Sequence, residues 1–287
     1  MAADGVNTSV IYLVWLPYGI AHFRLFAASY CRFAAGCSHQ LVIVFNGTAL
    51  EHPNPPEEYL AYLEQLGGKA DKCLYYQQGQ DLEIYRRAAR EIPAEYILFL
   101  NTYSILEAAN WLKYYVGNFD TGVGIIGASA SCQSYYSAVF QKHAATWEAD
   151  KGFLYNFRKY KLFLKAFFYW RFLFRPFPNP HIRTNAFMVR REVFLMMNPG
   201  RLDTKFRAYL FENGRKGITA FYRKKGLKTL VVDKNGHTYA PAGWKKSRTF
   251  WNGEQENLLV SDNQTRLYTE ASIEDKKQMT WLAWGII

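Results

Sequence analysis

Short, continuously apolar runs separated by helix-length segments are what most limit the folds open to this chain. Val10–Trp15 (VIYLVW), Leu41–Phe45 (LVIVF) and Tyr96–Leu100 (YILFL) carry no polar alternation, and Cys73–Gln77 (CLYYQ) carries little. A strand with one solvated face alternates, whereas a strand covered on both faces does not. Between the runs, Ala21–Ala35, Pro56–Leu66 and Asp81–Glu91 read as helices, the first two stopped by Gly36 and by Gly67-Gly68. The pattern predicts an α/β fold: a mixed, mostly parallel sheet with helices on both faces. Ligands of such sheets bind outside the carboxyl ends of the strands. Here those ends are Trp15–Tyr18, Asn46-Gly47, Gln78–Asp81 and Asn101–Ser104.

The later pattern is less regular. A helix is expected around Glu107–Val116 and a strand over Gly122–Ala128. Residues 133–178 have no strand signal and are crowded with aromatic and basic side chains. A strand at Asn185–Val189, a helix near Arg191–Met197, helical structure over 203–225 and a strand at Thr229–Val232 follow. Beyond Gly236 the expectation is loops, a helix near Gln255–Leu259 and a Trp-rich apolar end. The economical division is one domain over 1–235 with a helical insertion at about 133–178, and a C-terminal extension, 236–287, packing on it.

Composition narrows the partners. Aromatic residues make up 17% of the 287 residues, an excess that suits carbohydrate faces and membrane interfaces. The net charge of +11 points to anionic partners: nucleic acid, anionic lipid or phosphorylated substrates. No nucleic-acid motif is present, so nucleic acid is not expected. Cys31, Cys37, Cys73 and Cys132 form no CxxC pair and have no His at metal spacing. They read as free buried thiols in a reducing compartment. No signal peptide opens the chain and no apolar run reaches spanning length. A cytoplasmic protein, peripheral at the inner face of the membrane, is expected, and there the N-x-[ST] triplets at Asn7, Asn46 and Asn263 carry no meaning.

Three motifs in order resemble the family-two, GT-A class of glycosyltransferases. The phrase Leu98-Phe99-Leu100-Asn101-Thr102-Tyr103-Ser104 ends the fourth strand, where that family has "FLDxD" or "FLNxD". Thr184–Phe194 (TNAFMVRREVF) resembles its arginine-rich turn into a helix. Phe211-Glu212-Asn213-Gly214 through Tyr222–Gly226 (YRKKG) resembles its acidic residue and following helix, and the strand at Thr229–Val232 comes next. The resemblance covers about residues 9–235. It implies a GT-A fold and transfer of a sugar from a nucleotide-sugar donor to a glycan or lipid-linked acceptor in surface polysaccharide or lipopolysaccharide synthesis. Displacement with inversion is the expected course, although no motif fixes the stereochemistry. The family's acidic motif holds a divalent metal, Mg²⁺ or Mn²⁺, on the donor diphosphate. Asn101–Ser104 supplies no carboxylate, and such ions want hard anionic oxygens. The expectation is therefore metal-independent transfer, with cationic side chains on the leaving group. The same departure suits a non-catalytic nucleotide-sugar or glycan-binding module.

Glu212 matches the family's catalytic carboxylate, the general base that takes the acceptor proton. Its bland reading is a glutamate opening a helix, favoured there by the helix dipole. Asp203 is a nearby second carboxylate. Asp81 is placed to meet a nucleobase or ribose, and equally to cap the Leu82–Glu91 helix. Tyr18, Asn46, Asn101 and Tyr103 are nucleotide-sugar candidates by strand-end position, with loop structure as their alternative. His181 and Arg183, in a Pro-flanked loop, and His237, beyond the last core strand, are candidates for acceptor or phosphate contact. Asn156–Arg175 (NFRKYKLFLKAFFYWRFLFR) is a basic, aromatic helix. It suits a membrane interface, or a core position with snorkelling cations.

Overall fold

The apolar runs assemble into the expected sheet. The computed structural model describes residues 7–48, 56–66, 70–77, 79–142 and 151–285. Gly67-Gly68, Gln78 and part of the insertion lie outside the described residues. The strands are β1 (Thr8–Trp15), β2 (Gln40–Asn46), β3 (Ala70–Tyr76), β4 (Tyr96–Leu100), β5 (Ile105–Leu106), β6 (Val123–Gly127), β7 (Ala130–Ser131), β8 (His181–Ile182), β9 (Ala186–Arg190), β10 (Lys228–Val232), β11 (Thr238–Tyr239) and β12 (Val260–Ser261). The helices are α1 (Ala21–Arg32), α2 (Glu57–Gln65), α3 (Asp81–Glu91), α4 (Trp111–Gly117), α5 (Tyr135–Lys142), α6 (Phe153–Lys165), α7 (Arg171–Leu173), α8 (Arg191–Met196), α9 (Lys205–Asn213), α10 (Ile218–Lys224), α11 (Asn263–Glu270) and α12 (Ile273–Trp284).

The main sheet runs β11-β10-β6-β9-β4-β1-β2-β3. Pairing is parallel except at β9 and at the edge strand β11. Two buried clusters cover its faces. Leu13, Val44, Phe99 and Phe187 face one, packed with α3 and α8. Tyr12, Phe45, Leu98 and Met188 face the other, packed with α1 and α4. The fully covered strands explain their unbroken apolar sequence.

Tertiary contacts moved several boundaries. Helix α1 ends at Arg32 rather than Ala35, because the next carbonyls are taken elsewhere. Trp111 Nε1 donates to the Phe33 carbonyl at 3.0 Å, the Asn110 N–H to Ala34 at 2.7 Å and the Lys113 N–H to Ala35 at 3.0 Å. Helix α4 starts at Trp111 rather than Glu107, since β5 pairs with β12 and Asn110 adopts a left-handed conformation (φ 60°). The helical stretch at 203–225 is two helices. Gly214 breaks it, its backbone extended where a Cβ would lie 2.3 Å from the Leu210 carbonyl oxygen. The helix expected near Gln255–Leu259 does not form. Gln255 has φ 53° and its side chain instead accepts from the Trp251 N–H and donates to the Thr265 carbonyl.

The insertion is helical, as expected: α5, then α6 leading through a wide π-type turn into α7. Its inward side (Val139, Ala166, Trp170, Phe174) packs on Phe206 and Tyr209 of α9. The residues after 235 are joined to the sheet at several points. Strand β11 extends its edge, and Trp244 is buried in one of the core clusters, its Nε1 donating to the Tyr239 carbonyl at 2.9 Å. Asp262, 1% exposed, pairs with Arg183 at 2.7 Å.

Asp262 also caps α11, its carboxylate accepting the Thr265 N–H at 2.8 Å. Removing one partner of a buried ion pair leaves the other uncompensated. Asp262→Ala is expected to lower unfolding free energy by about 3–5 kcal/mol, measured by urea denaturation. A loss below about 1 kcal/mol would mean that solvent already screens Arg183.

Candidate active site

The site follows from the direction of β9. The strand is antiparallel to both neighbours, with Ala186 opposite Leu100 and Phe187 opposite Gly127. The residues just before it, 181–185, therefore emerge at the carboxyl edge of the parallel strands, where the loop after β4 also lies. The Asn101 N–H donates to the Asn185 carbonyl at 2.9 Å, joining the two.

One half of the site is aromatic and lies over β1 and β4. The Trp15 N–H donates to Thr102 Oγ1, and the Tyr12 hydroxyl donates to the Thr102 carbonyl at 2.7 Å. Asn101 Oδ1 accepts the Tyr103 N–H and the Ser104 hydroxyl, so its side chain shapes the loop. The loop presents Tyr103, whose ring lies 5.4 Å from Tyr18 and 4.6 Å from His22. Partial burial and the Tyr18 hydroxyl push the Tyr103 phenol up to about 12. Arg266, from the first turn of α11, donates to the Tyr103 carbonyl at 3.1 Å. Sequence reasoning missed His22 and Arg266. The one available signal for Arg266 was the Asp262-x-x-Thr265 capping box, which starts the helix that carries it.

Asp81 stands at the rim of this half. The cap position belongs to Gln80, and Asp81 is the first helical residue of α3, so the capping role expected of it is not the one it has. Solvent reaches its side chain, yet protein crowds it on most sides, and that desolvation raises its carboxyl pKa. Asn46, by contrast, is fully buried. Its Nδ2 donates to the Gly79 carbonyl at 2.8 Å, tying β2 to the loop that leads to Asp81. It supports the crevice wall.

The second half surrounds Glu212. The expected helix-start glutamate is instead in the last turn of α9, where the macrodipole disfavours a negative charge. It is held there by Thr184, whose N–H donates to Oε2 at 3.0 Å and whose hydroxyl makes a short bond to the same oxygen. His181 faces its other oxygen, Nε2 to Oε1 at 3.8 Å. The His181 Nδ1 lies 2.8 Å from the Asn179 carbonyl, an acceptor only, so Nδ1 carries the proton. Burial lowers the His181 pKa, with Glu212 opposing. A neutral ring thus points its Nε2 lone pair toward the carboxylate, across a gap too long for a direct hydrogen bond. Arg183 is fixed by Asp262, by Ser129 Oγ at 3.1 Å and by the face of Phe250 at 4.0 Å.

Glu212, His181 and Arg183 line a cleft of about 610 Å³ between the insertion and the extension. Tyr135, Trp170, Tyr209, Phe250 and Trp251 add aromatic walls to it. Two expected residues are not brought in. His237 is on the turn between β10 and β11, largely exposed, its backbone N–H on Asp233 Oδ1 at 2.9 Å. Asp203 lies on the surface, paired with Arg201 at 2.6 Å.

The residues present do not fit a divalent cation. The loop after β4 offers no carboxylate, Asn101 Oδ1 is already committed, and a guanidinium approaches the Tyr103 carbonyl. Among the described residues no group of three His, Cys, Asp or Glu is arranged to hold a metal ion.

No model of a known protein family matches the chain, and no curated protein sequence matches it. Solved structures with partial likeness include glycosyltransferases. The WbbM bifunctional glycosyltransferase is 10% identical at a TM-score of 0.41, over 97% of this chain and 44% of that one. Mouse xyloside xylosyltransferase 1 is 13% identical at 0.41, over 79% and 85%. The mannosyltransferase PcManGT from Pyrobaculum calidifontis, solved with GDP-Man and Mn²⁺, is 10% identical at 0.38, over 65% and 45%. This chain spans 21% of S. aureus TarS. Likeness at this level leaves the chemistry to be argued from the chain's own residues.

Because the Asp81 pKa is raised on folding, its ionisation opposes the folded state. The stability it contributes is full below the ordinary carboxylate range and is lost as pH rises through the raised value. Asp81→Asn is therefore expected to resist urea better than the wild type at about pH 7, with no difference near about pH 3. Equal midpoints at both pH values would mean that Asp81 is solvated like a surface carboxylate.

Proposed function

We propose that the protein is an inverting glycosyltransferase that uses a nucleotide-sugar donor. The observation that carries the reading is Glu212. It is a carboxylate held against the helix dipole by two hydrogen bonds from Thr184, at the junction of an aromatic cleft and the carboxyl edge of the sheet. A carboxylate fixed by hydrogen bonds at the wall of a cleft is within reach of a hydroxyl that enters it, which is the geometry a general base needs. The donor lies over the carboxyl edge, its base and ribose between Tyr18, Tyr103 and Asp81. The acceptor glycan enters the cleft, where sugar faces stack on the half-buried rings of Tyr135 and Tyr209.

Glu212 takes the proton of the acceptor hydroxyl as its oxygen attacks the anomeric carbon. The glycosidic C–O bond to the diphosphate breaks, and the nucleoside diphosphate leaves with the bonding electrons. Arg183 and Arg266 stabilise the charge that develops on it, so the proposed transfer needs no metal. His181 keeps a neutral ring beside Glu212 and is placed to receive the proton afterwards.

The acceptor is a glycan or lipid-linked intermediate of surface polysaccharide or lipopolysaccharide synthesis, met at the inner membrane face. Support for the membrane contact comes from the insertion. Phe153, Leu154, Phe157, Phe168 and Phe172 are each more than half exposed, among exposed Arg158, Lys161 and Lys165. Large aromatic side chains beside cations suit a bilayer interface. No helix among the described residues is long and apolar enough to cross a membrane.

Thermal melts with UDP-, GDP-, CMP- and dTDP-sugars test the donor class, and the reading fails if none raises Tm. With the donor found, Glu212→Gln is expected to lower kcat by about 10²–10⁴-fold with donor Kd unchanged. Retained turnover would remove Glu212 from the base role. Turnover should survive EDTA, and a strict requirement for Mn²⁺ would refute metal-independent transfer. A wild type that binds donor yet transfers and hydrolyses nothing would favour the non-catalytic module.

For the membrane contact, sedimentation with anionic vesicles should capture the wild type at low salt and release it as salt rises. Phe157→Asp with Phe168→Asp should abolish capture. Equal capture of both proteins would move the contact elsewhere.

A further inference from the structure

A second cavity, of about 450 Å³, lies on the other side of Glu212 and His181 from the aromatic cleft. Its character is different. Arg175, Arg215, Arg223 and Lys224 line it, and Glu212 is its one carboxylate. Two of these cations are free: among the described residues neither Arg175 nor Lys224 has a side-chain partner, and both are exposed. The backbone beneath Arg175 is nevertheless pinned. Ser134 Oγ donates to the Arg175 carbonyl at 2.5 Å, and the Phe177 N–H donates to Ser137 Oγ at 2.8 Å.

Arg223 is more constrained. It stacks over Trp244 at 5.2 Å, and donates to Thr229 Oγ1 and the Pro180 carbonyl, each at 3.3 Å. Its Nη2 is buried with no hydrogen-bond partner, an unmet donor of the kind that costs stability unless something accepts from it. Burial and the neighbouring Arg175 guanidinium both disfavour its charge. The two guanidiniums stand near enough to repel each other. An anion of several acceptor oxygens is the group that arginine forks recognise best.

We propose that this cavity binds a phosphoryl or pyrophosphoryl group borne by the acceptor, held by Arg175, Arg223 and Lys224. The inference rests on the glycosyltransferase reading in one respect, that the group belongs to the acceptor. Position supports that assignment. The cavity shares Glu212 with the cleft, so a phosphoryl group in it stands beside the hydroxyl that Glu212 deprotonates. It also lies at the foot of the insertion, since α7 ends two residues before Arg175 and carries the exposed Phe172.

The test is calorimetric titration of inorganic pyrophosphate into the full chain. The wild type should bind it, and the double variant Arg175→Ala/Lys224→Ala should bind at least tenfold more weakly with an unchanged melting temperature. Arg175→Glu, a single exposed change, should weaken binding further than Arg175→Ala. Absence of binding to the wild type, or equal binding by the double variant, overturns the proposal. Flotation with phosphatidylcholine vesicles, with and without a long-chain prenyl phosphate, separates the sources. Capture that needs the prenyl phosphate and is lost in the double variant assigns the cavity to a lipid-borne group. Pyrophosphate binding lost in that variant, without such capture, assigns it to a soluble phosphorylated acceptor. If pyrophosphate binds as expected but no nucleotide sugar raises the melting temperature, the cavity stands and the glycosyltransferase reading falls.

Discussion

One strand running against its neighbours governs the site. β9 bonds to β4 on one side and β6 on the other, both antiparallel. Its hydrogen bonds satisfy a buried backbone that has no access to water. The reversal sends residues 181–185 out at the carboxyl edge, beside the loop after β4. A parallel strand in that place would put them at the opposite edge. His181, Arg183 and Thr184 thus reach the carboxyl edge of the sheet through backbone direction alone, and Thr184 then sets the position of Glu212.

Charge is arranged around that framework without, among the described residues, a metal-type carboxylate cluster. Arg183 is neutralised by Asp262 and Arg266 bonds the Tyr103 carbonyl; both contacts depend on α11, which belongs to the C-terminal extension. The extension closes the aromatic cleft, and through Trp244 it also supplies the surface on which Arg223 stacks. Glu212 sits between a cleft walled by aromatic rings and a cavity walled by cations. These are two chemically distinct surfaces that converge on one carboxylate, an arrangement suited to an acceptor with a sugar end and an anionic end.

Several features were legible in the residues. The unbroken apolar runs located β1, β2, β4 and the helices between them, because burial on both faces leaves a pattern that needs no partner to recognise. The aromatic and basic insertion was equally plain. Glu212 was singled out through its motif, yet its helical position was reversed, because the helix breaks after it at Gly214, where a Cβ would meet the Leu210 carbonyl oxygen. The ends of α1 and α4 were misplaced for a similar reason: their carbonyls and amides are exchanged between segments almost eighty residues apart, such as Phe33 and Trp111. His22 had no local signature, and the capping box at Asp262 marks the helix that carries Arg266 but not its contact: each meets Tyr103 only in the fold.

The sequence by itself determined the class of fold, the order of strands and helices that sets the carboxyl edge of the sheet, and the lack of a carboxylate after β4. Each is a local property, set by hydropathy, by the direction implied by strand–helix alternation, or by residue identity. Tertiary structure decided the rest. It buried Asn46 in the crevice wall, kept His237 on a solvent-facing turn, and set Asp262 against Arg183. It also gathered Arg175, Arg223 and Lys224 around one cavity. Electrostatic partnership depends on distance in space, and nothing in the spacing of those residues along the chain encodes it.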